Sequence, residues 1–258
     1  MSKKPADSKS AFFVGYLKMP KRLGLFYWAV IPVVIGCVLG AGFGFAVAQK
    51  DPGQGRFMPP AQTLTGYFDL EPYPVLRTIP TDEFPESRTV MLTGAGKFGI
   101  LDQVEKHKGQ MVDVRGVFLV RGDHEIFQVG GRGVKPTEET LSAEMQAFTA
   151  PETKPLGSYT LKGEIVDSKC YLGAMRPGEG KTHMVCANVC IMGGVPPMFV
   201  IYDEKGVSDI LMLADEDGKS LAGLVSDYTS LFVSIAGQVE QRGDLKVFRI
   251  DRNSISVL

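Results

Sequence analysis

The chain has 258 residues, 44% of them hydrophobic, with 28 basic against 29 acidic side chains and a formal net charge of −1. That length leaves room for an anchor and two domains of about 100 residues each. So balanced a charge excludes a general electrostatic pull onto nucleic acid or an anionic membrane surface, and no nucleic-acid partner is expected.

Residues 1–22 form a basic segment, with Lys3, Lys4, Lys9, Lys18, Lys21 and Arg22 against only Asp7. No charged residue follows over 23–48, a run longer than the roughly 20 residues that cross a hydrocarbon core. We expect a single transmembrane anchor over 23–49 in a bacterial inner (cytoplasmic) membrane. The positive-inside bias keeps its N-terminus cytoplasmic and makes the C-terminal domains periplasmic. Ala46-Val47-Ala48 fits a signal-peptidase site, and Val34-Ile35-Gly36-Cys37 looks like a lipobox. The apolar run is too long for the first and continues uncharged past the second, which favours an uncleaved anchor. Gly36, Gly40 and Gly44 recur every four residues and give the helix a small-residue stripe suited to the helix of an integral membrane partner.

After the anchor, Asp51-Pro52-Gly53-Gln54-Gly55 and Pro59-Pro60 cannot continue a helix, so 50–62 is expected to be a Pro/Gly stalk. A first domain is placed over 63–133, a helical linker over 134–156 with its helix at 137–148, and a second domain over 157–258. An internal repeat supports the pairing of domains: Val112, Gly116, Arg121, Gly122, Asp123 and Phe127 recur 121 positions later as Val233, Gly237, Arg242, Gly243, Asp244 and Phe248. Both copies run alternating residues into Arg-Gly-Asp and out again, as a Gly-led turn between antiparallel strands would. Helical stretches at 100–107 and 221–228 precede the hairpins, and strand candidates such as 89–92 and 198–202 precede those. Three strands, a helix and a closing hairpin is the order of the OB barrel. The expected fold class is therefore mainly β, one N-terminal transmembrane helix followed by two tandem OB-like Greek-key barrels.

The second domain carries a compact set of soft donors, Cys170, His183, Cys186 and Cys190. The last three fall at i, i+3 and i+7, within about 60° of one another around an α-helix, so they project on one side. Thr182 is expected to cap that helix and Gly193 to end it, with Cys170 reaching over as the fourth ligand. A Cys3His set suits structural zinc and, once closed, leaves no position for a catalytic water. An Fe-S cluster and copper stay open as alternatives, copper because Met175, Met184, Met192 and Met198 crowd the same stretch and thioether with thiolate favours Cu(I). So does a disulfide from Cys170 with no metal, which export permits but which leaves an odd thiol.

Around these donors the chain reads Gly163-Glu164-Ile165-Val166-Asp167-Ser168-Lys169-Cys170, then Cys186-Ala187-Asn188-Val189-Cys190 with Gly193-Gly194 beyond. This pattern resembles small exported bacterial OB-like domains that begin Gly-x-[Ile/Val]-x-Asp-x-x-Cys and carry a later Cys-x3-Cys followed by Gly. The resemblance covers the second barrel alone and implies an exported accessory domain.

No hydrolase constellation accompanies the three histidines, so the sequence points away from an enzyme. Gly94-Ala95-Gly96-Lys97-Phe98-Gly99 lacks the spacing and the Ser/Thr of a phosphate loop and reads as a strand-connecting turn. The leading expectation is a single-pass, membrane-anchored periplasmic accessory subunit of a membrane complex, respiratory or redox in kind. The competing readings are a periplasmic electron-transfer (Fe-S), copper-handling or thiol-redox protein, and a binding module that uses the barrel faces.

Overall fold

The structure is a computed structural model that describes residues 21–48, 55–80, 87–137, 152–203, 206–221 and 223–258. The chain divides into an N-terminal unit, Met1–Asp51, and a body, Pro52–Leu258. The N-terminal unit holds helix α1 (Lys21–Ala48), 28 residues continuous through Pro32. At 1.5 Å per residue α1 is about 42 Å long, against a hydrocarbon core of about 30 Å. By length and composition it can cross a membrane.

In the body, strands β1 (Arg56–Asp69), β2 (Val75–Thr78), β3 (Thr89–Thr93), β4 (Met111–Arg121) and β5 (His124–Pro136) close a barrel in the order β1-β2-β3-β5-β4. A short helix, α2 (Leu101–Val104), and a 3-10 turn at Glu105–His107 lie between β3 and β4. Strands β6 (Thr153–Asp167), β7 (Pro197–Asp203), β8 (Gly206–Ala214), β9 (Phe232–Arg242) and β10 (Leu245–Ile250) close a second five-stranded barrel, and β11 (Ser256–Val257) adds to β9. Each barrel has one parallel pair, β3 with β5 and β8 with β10.

The repeat seen in sequence is a repeat in space. Strand β4 matches β9 end to end at the 121-residue offset. The parallel register matches too, Leu92 facing Phe127 in one barrel and Leu213 facing Phe248 in the other. Both hairpins turn on Gly122 and Gly243, at φ of 58° and 67°, backbone that a side chain would resist.

Three expectations change. Strand β1 starts at Arg56 and takes in part of the expected stalk; a register shift between Met58 and Gln62 accommodates Pro59 and Pro60, which cannot donate to a ladder. Strand β5 likewise runs through 134–136 and β6 begins at Thr153, so both enter the segment assigned to a linker. Within the stretch expected to be helical, 223–228 form successive turns, with Gly223 at φ 82°. The linker helix expected at 137–148 lies, past Thr137, outside the described residues.

Each barrel has its own interior. Leu76, Leu92, Val112, Val114, Phe127 and neighbours fill the first; Ile165, Phe199, Leu213, Val233, Ile235 and Phe248 lead the second. A third core joins them, with Tyr73, Val75, Met91, Leu119 and Ile126 of the first barrel against Val166, Tyr171, Leu172, Met198 and Met212 of the second. The hairpin tips cross that seam in both directions. Arg121 stacks over the Tyr171 ring at 4.0 Å and bridges Glu179 at 3.2 Å. In return, Arg242 donates to the Glu71 carbonyl at 3.1 Å and Asp244 accepts from the Thr89 N–H at 2.9 Å.

Candidate metal centre

The barrels differ most in the connection that follows their first strand. In the first barrel, residues 70–74 join β1 to β2; in the second, 168–196 join β6 to β7, and this longer connection carries the donors. Asp167, fully buried at the end of β6, organises its start. One carboxylate oxygen accepts the Cys170 N–H at 2.7 Å and the other meets His183 Nε2 at 3.0 Å. The chain then passes through an irregular turn, Cys170–Ala174, and a 3-10 turn, Lys181–His183, into helix α3 (Met184–Met192). The cap residue of α3 is His183, not Thr182, because the Lys181–His183 turn already feeds the helix and His183 N–H closes it on the Gly180 carbonyl at 2.8 Å. Gly193 ends the helix as expected.

The predicted donors fall into two adjoining groups that meet at Cys170. Cys170, His183 and Cys186 offer ligand atoms within 4.8 Å of one another, as do Asp167, Cys170 and Cys190, so Cys170 belongs to both groups. Cys170 Sγ stands 4.0 Å from Cys186 Sγ. A tetrahedral ion with bonds of about 2.3 Å sets its sulfurs about 3.8 Å apart, whereas a disulfide needs about 2.05 Å. All three cysteines are free thiols, so the expected alternative of a disulfide from Cys170 is not formed, and the spacing suits a shared ion. The Asp167 carboxylate against Nε2 leaves Nδ1 as the His183 nitrogen that could coordinate a metal, and a carboxylate so placed orients an imidazole. Cys170, Cys190 and His183 are buried, while Cys186 is partly open to solvent.

Neighbouring charges shape the sulfurs. Its hydrogen bond to Cys190, then burial and the Asp167 carboxylate, push the Cys170 thiol up; the same bond holds Cys190 below the usual thiol range. Lys97 of the first barrel donates to Cys186 Sγ at 2.7 Å, which raises the lysine above its ordinary value. Lys169, buried beside Cys170, is lowered by desolvation and donates to the carbonyls of Gly94 and Gly96, each at 2.7 Å.

Asp167, Lys169 and Lys97 were not singled out as site residues in the sequence. The first two stand inside the motif ending at Cys170, where a carboxylate three residues before a ligand is a readable hint. The segment 94–99, judged there as a failed phosphate loop, is the loop that brings Lys97 to the cluster. Of the crowded methionines, Met175 places Sδ 3.6 Å from Cys186 Sγ, whereas Met198 is buried in the seam core. Comparison of the chain with protein-family models and with curated proteins finds no match.

Proposed function

We propose that this chain is a membrane-anchored accessory subunit of a larger membrane assembly, its body exported and its second barrel stabilised by zinc on Cys170, His183, Cys186 and Cys190. The observation that carries the reading is the grouping of Cys170 with His183 and Cys186 on one side and with Cys190 on the other, the His183 Nε2 being held by Asp167. Charge supports a divalent ion. Three thiolates and the Asp167 carboxylate against the ammonium groups of Lys97 and Lys169 leave two negative charges, which Zn²⁺ cancels and Cu(I) does not. When bound, zinc would tie the turn at Cys170–Ala174 to helix α3; the chain's residues orient the ligands and wall off water, since all but Cys186 are buried.

The same reading takes both barrels as OB type, supported by the β1-β2-β3-β5-β4 order and its counterpart β6-β7-β8-β10-β9. An outward-facing body follows from the basic residues before α1, and a partner helix from the Gly36, Gly40 and Gly44 stripe. A respiratory or redox assembly is the kind of complex proposed, with the chain itself not an enzyme. Copper handling is the second reading, favoured by the Met175 thioether beside Cys186.

Metal analysis and thiol counting on full-length protein purified in mild detergent from its own membranes test this together with native electrophoresis. A colourless protein with one equivalent of zinc, migrating with a larger assembly, is expected. A metal-free, monodisperse monomer sinks the proposal; visible absorption or bound copper turns it to the redox alternatives.

A further inference from the structure

We infer that the first barrel completes the metal centre of the second, with Lys97 acting as the positioning residue that holds Cys186 in its ligand orientation. This rests on the zinc reading above and goes beyond it, because it makes metal binding depend on a loop from the other barrel.

The ligands differ in exposure. Cys170, Cys190 and His183 are fixed by burial and by Asp167, but Cys186 is partly exposed. Besides the Cys170 sulfur at 4.0 Å and the Met175 sulfur at 3.6 Å, its side chain meets the Lys97 ammonium at 2.7 Å. A sulfur on an open helix face loses orientation to rotamer freedom, and the ammonium restrains it while offsetting its charge.

The loop that presents Lys97 is itself built against the metal-bearing insertion. Gly99 N–H donates to the Gly193 carbonyl at 2.7 Å. A Cβ at Gly99 would collide with the Gly194 carbonyl, and one at Gly193 with the Lys97 carbonyl, so only glycines allow the two backbones to come this close. From the other side Lys169, next to ligand Cys170, grips the carbonyls of Gly94 and Gly96. The exchange is reciprocal: the first barrel lends a cation to the cluster, and the cluster's flank lends a cation to the loop. The matching loop of the second barrel, 215–220 after β8, makes an Asp215-centred turn instead, so the interaction belongs to one copy of the duplication.

The test uses the full-length chain in detergent, zinc as the probe and a chromophoric chelator as competitor. Supporting groups around a metal typically cost about 10–100-fold in affinity when removed. Lys97→Met is expected to weaken zinc binding within that range and to shift the sulfur-to-metal charge-transfer band of the Co²⁺-substituted protein. Lys97→Arg should restore most of the affinity, and Phe98→Ala, an exposed change in the same loop, should leave it untouched. Wild-type affinity and an unchanged Co²⁺ spectrum in Lys97→Met would overturn the inference alone. A wild type that takes up no zinc removes both this inference and the zinc reading. Should Lys97→Met fail to fold, Lys97→Arg and Lys97→Gln carry the measurement: equal affinity in those two also overturns it, and loss confined to Gln supports it.

Discussion

The two barrels share a frame and differ in one connection. From β3 to the first half of β5 the first barrel pairs its strands in the register of β8 to β10 of the second, down to the Leu-Phe parallel pair and the Gly that turns each hairpin. Yet 70–74 joins two strands and adds Tyr73 and the Glu71 carbonyl to the seam, whereas 168–196 brings in a helix, three sulfurs and an imidazole. The hairpins supply the frame and the seam; the chemistry is an addition to one copy, placed where the other copy can reach it.

The sharpest way to break this comparison is to remove a ligand. Cys190→Ser is expected to abolish stoichiometric zinc while leaving the first barrel folded, read by metal analysis together with hydrogen exchange of β1 to β5. Loss of protection throughout the first barrel would show that the frame, too, needs the centre. Next in size is Leu172→Ala, which empties a fully buried place in the seam core. It should cost about 2–5 kcal/mol, seen as a lower urea midpoint, while Leu76→Ala inside the first barrel should cost as much without weakening zinc binding.

The hairpin tips give a smaller, more discriminating contrast. Arg121→Ala loses the Tyr171 ring and the Glu179 bridge at a side chain 12% exposed, for an expected cost of about 2 kcal/mol. Arg242→Ala, whose ion pair is with Glu240 on its own strand, should cost about 1 kcal/mol. Equal costs in thermal unfolding would mean that the seam is energetically symmetric. Smallest of all, Lys246→Ala breaks a bridge to Asp209 whose partners are 41% and 33% exposed, and should change stability by less than about 0.5 kcal/mol.

What the sequence made legible follows from locality. Cys186 and Cys190 sit on one helix with His183 at its cap, so spacing alone brings them together, and the hairpins announce themselves through Arg-Gly-Asp at fixed offset. Lys97 was hidden because 89 positions separate it from Cys186, and its loop carries no ligand of its own. The start of β1 was hidden behind Pro59 and Pro60, which signal a break in any local reading but fit a strand at the register shift. At 223–228 the helical pattern is sound as far as composition goes; the positive φ of Gly223 favours turns and leaves no trace in periodicity.

The crossing of Arg121 and Arg242 over the seam has an evolutionary corollary. Once each copy grips its neighbour, a change at either tip has to be answered on the opposite partner, and neither can be shuffled into another gene without exposing what its twin had covered. The two copies thus stand or fall together along the seam, and the freedom to differ lies in the connection after the first strand, where one copy took on the buried donors.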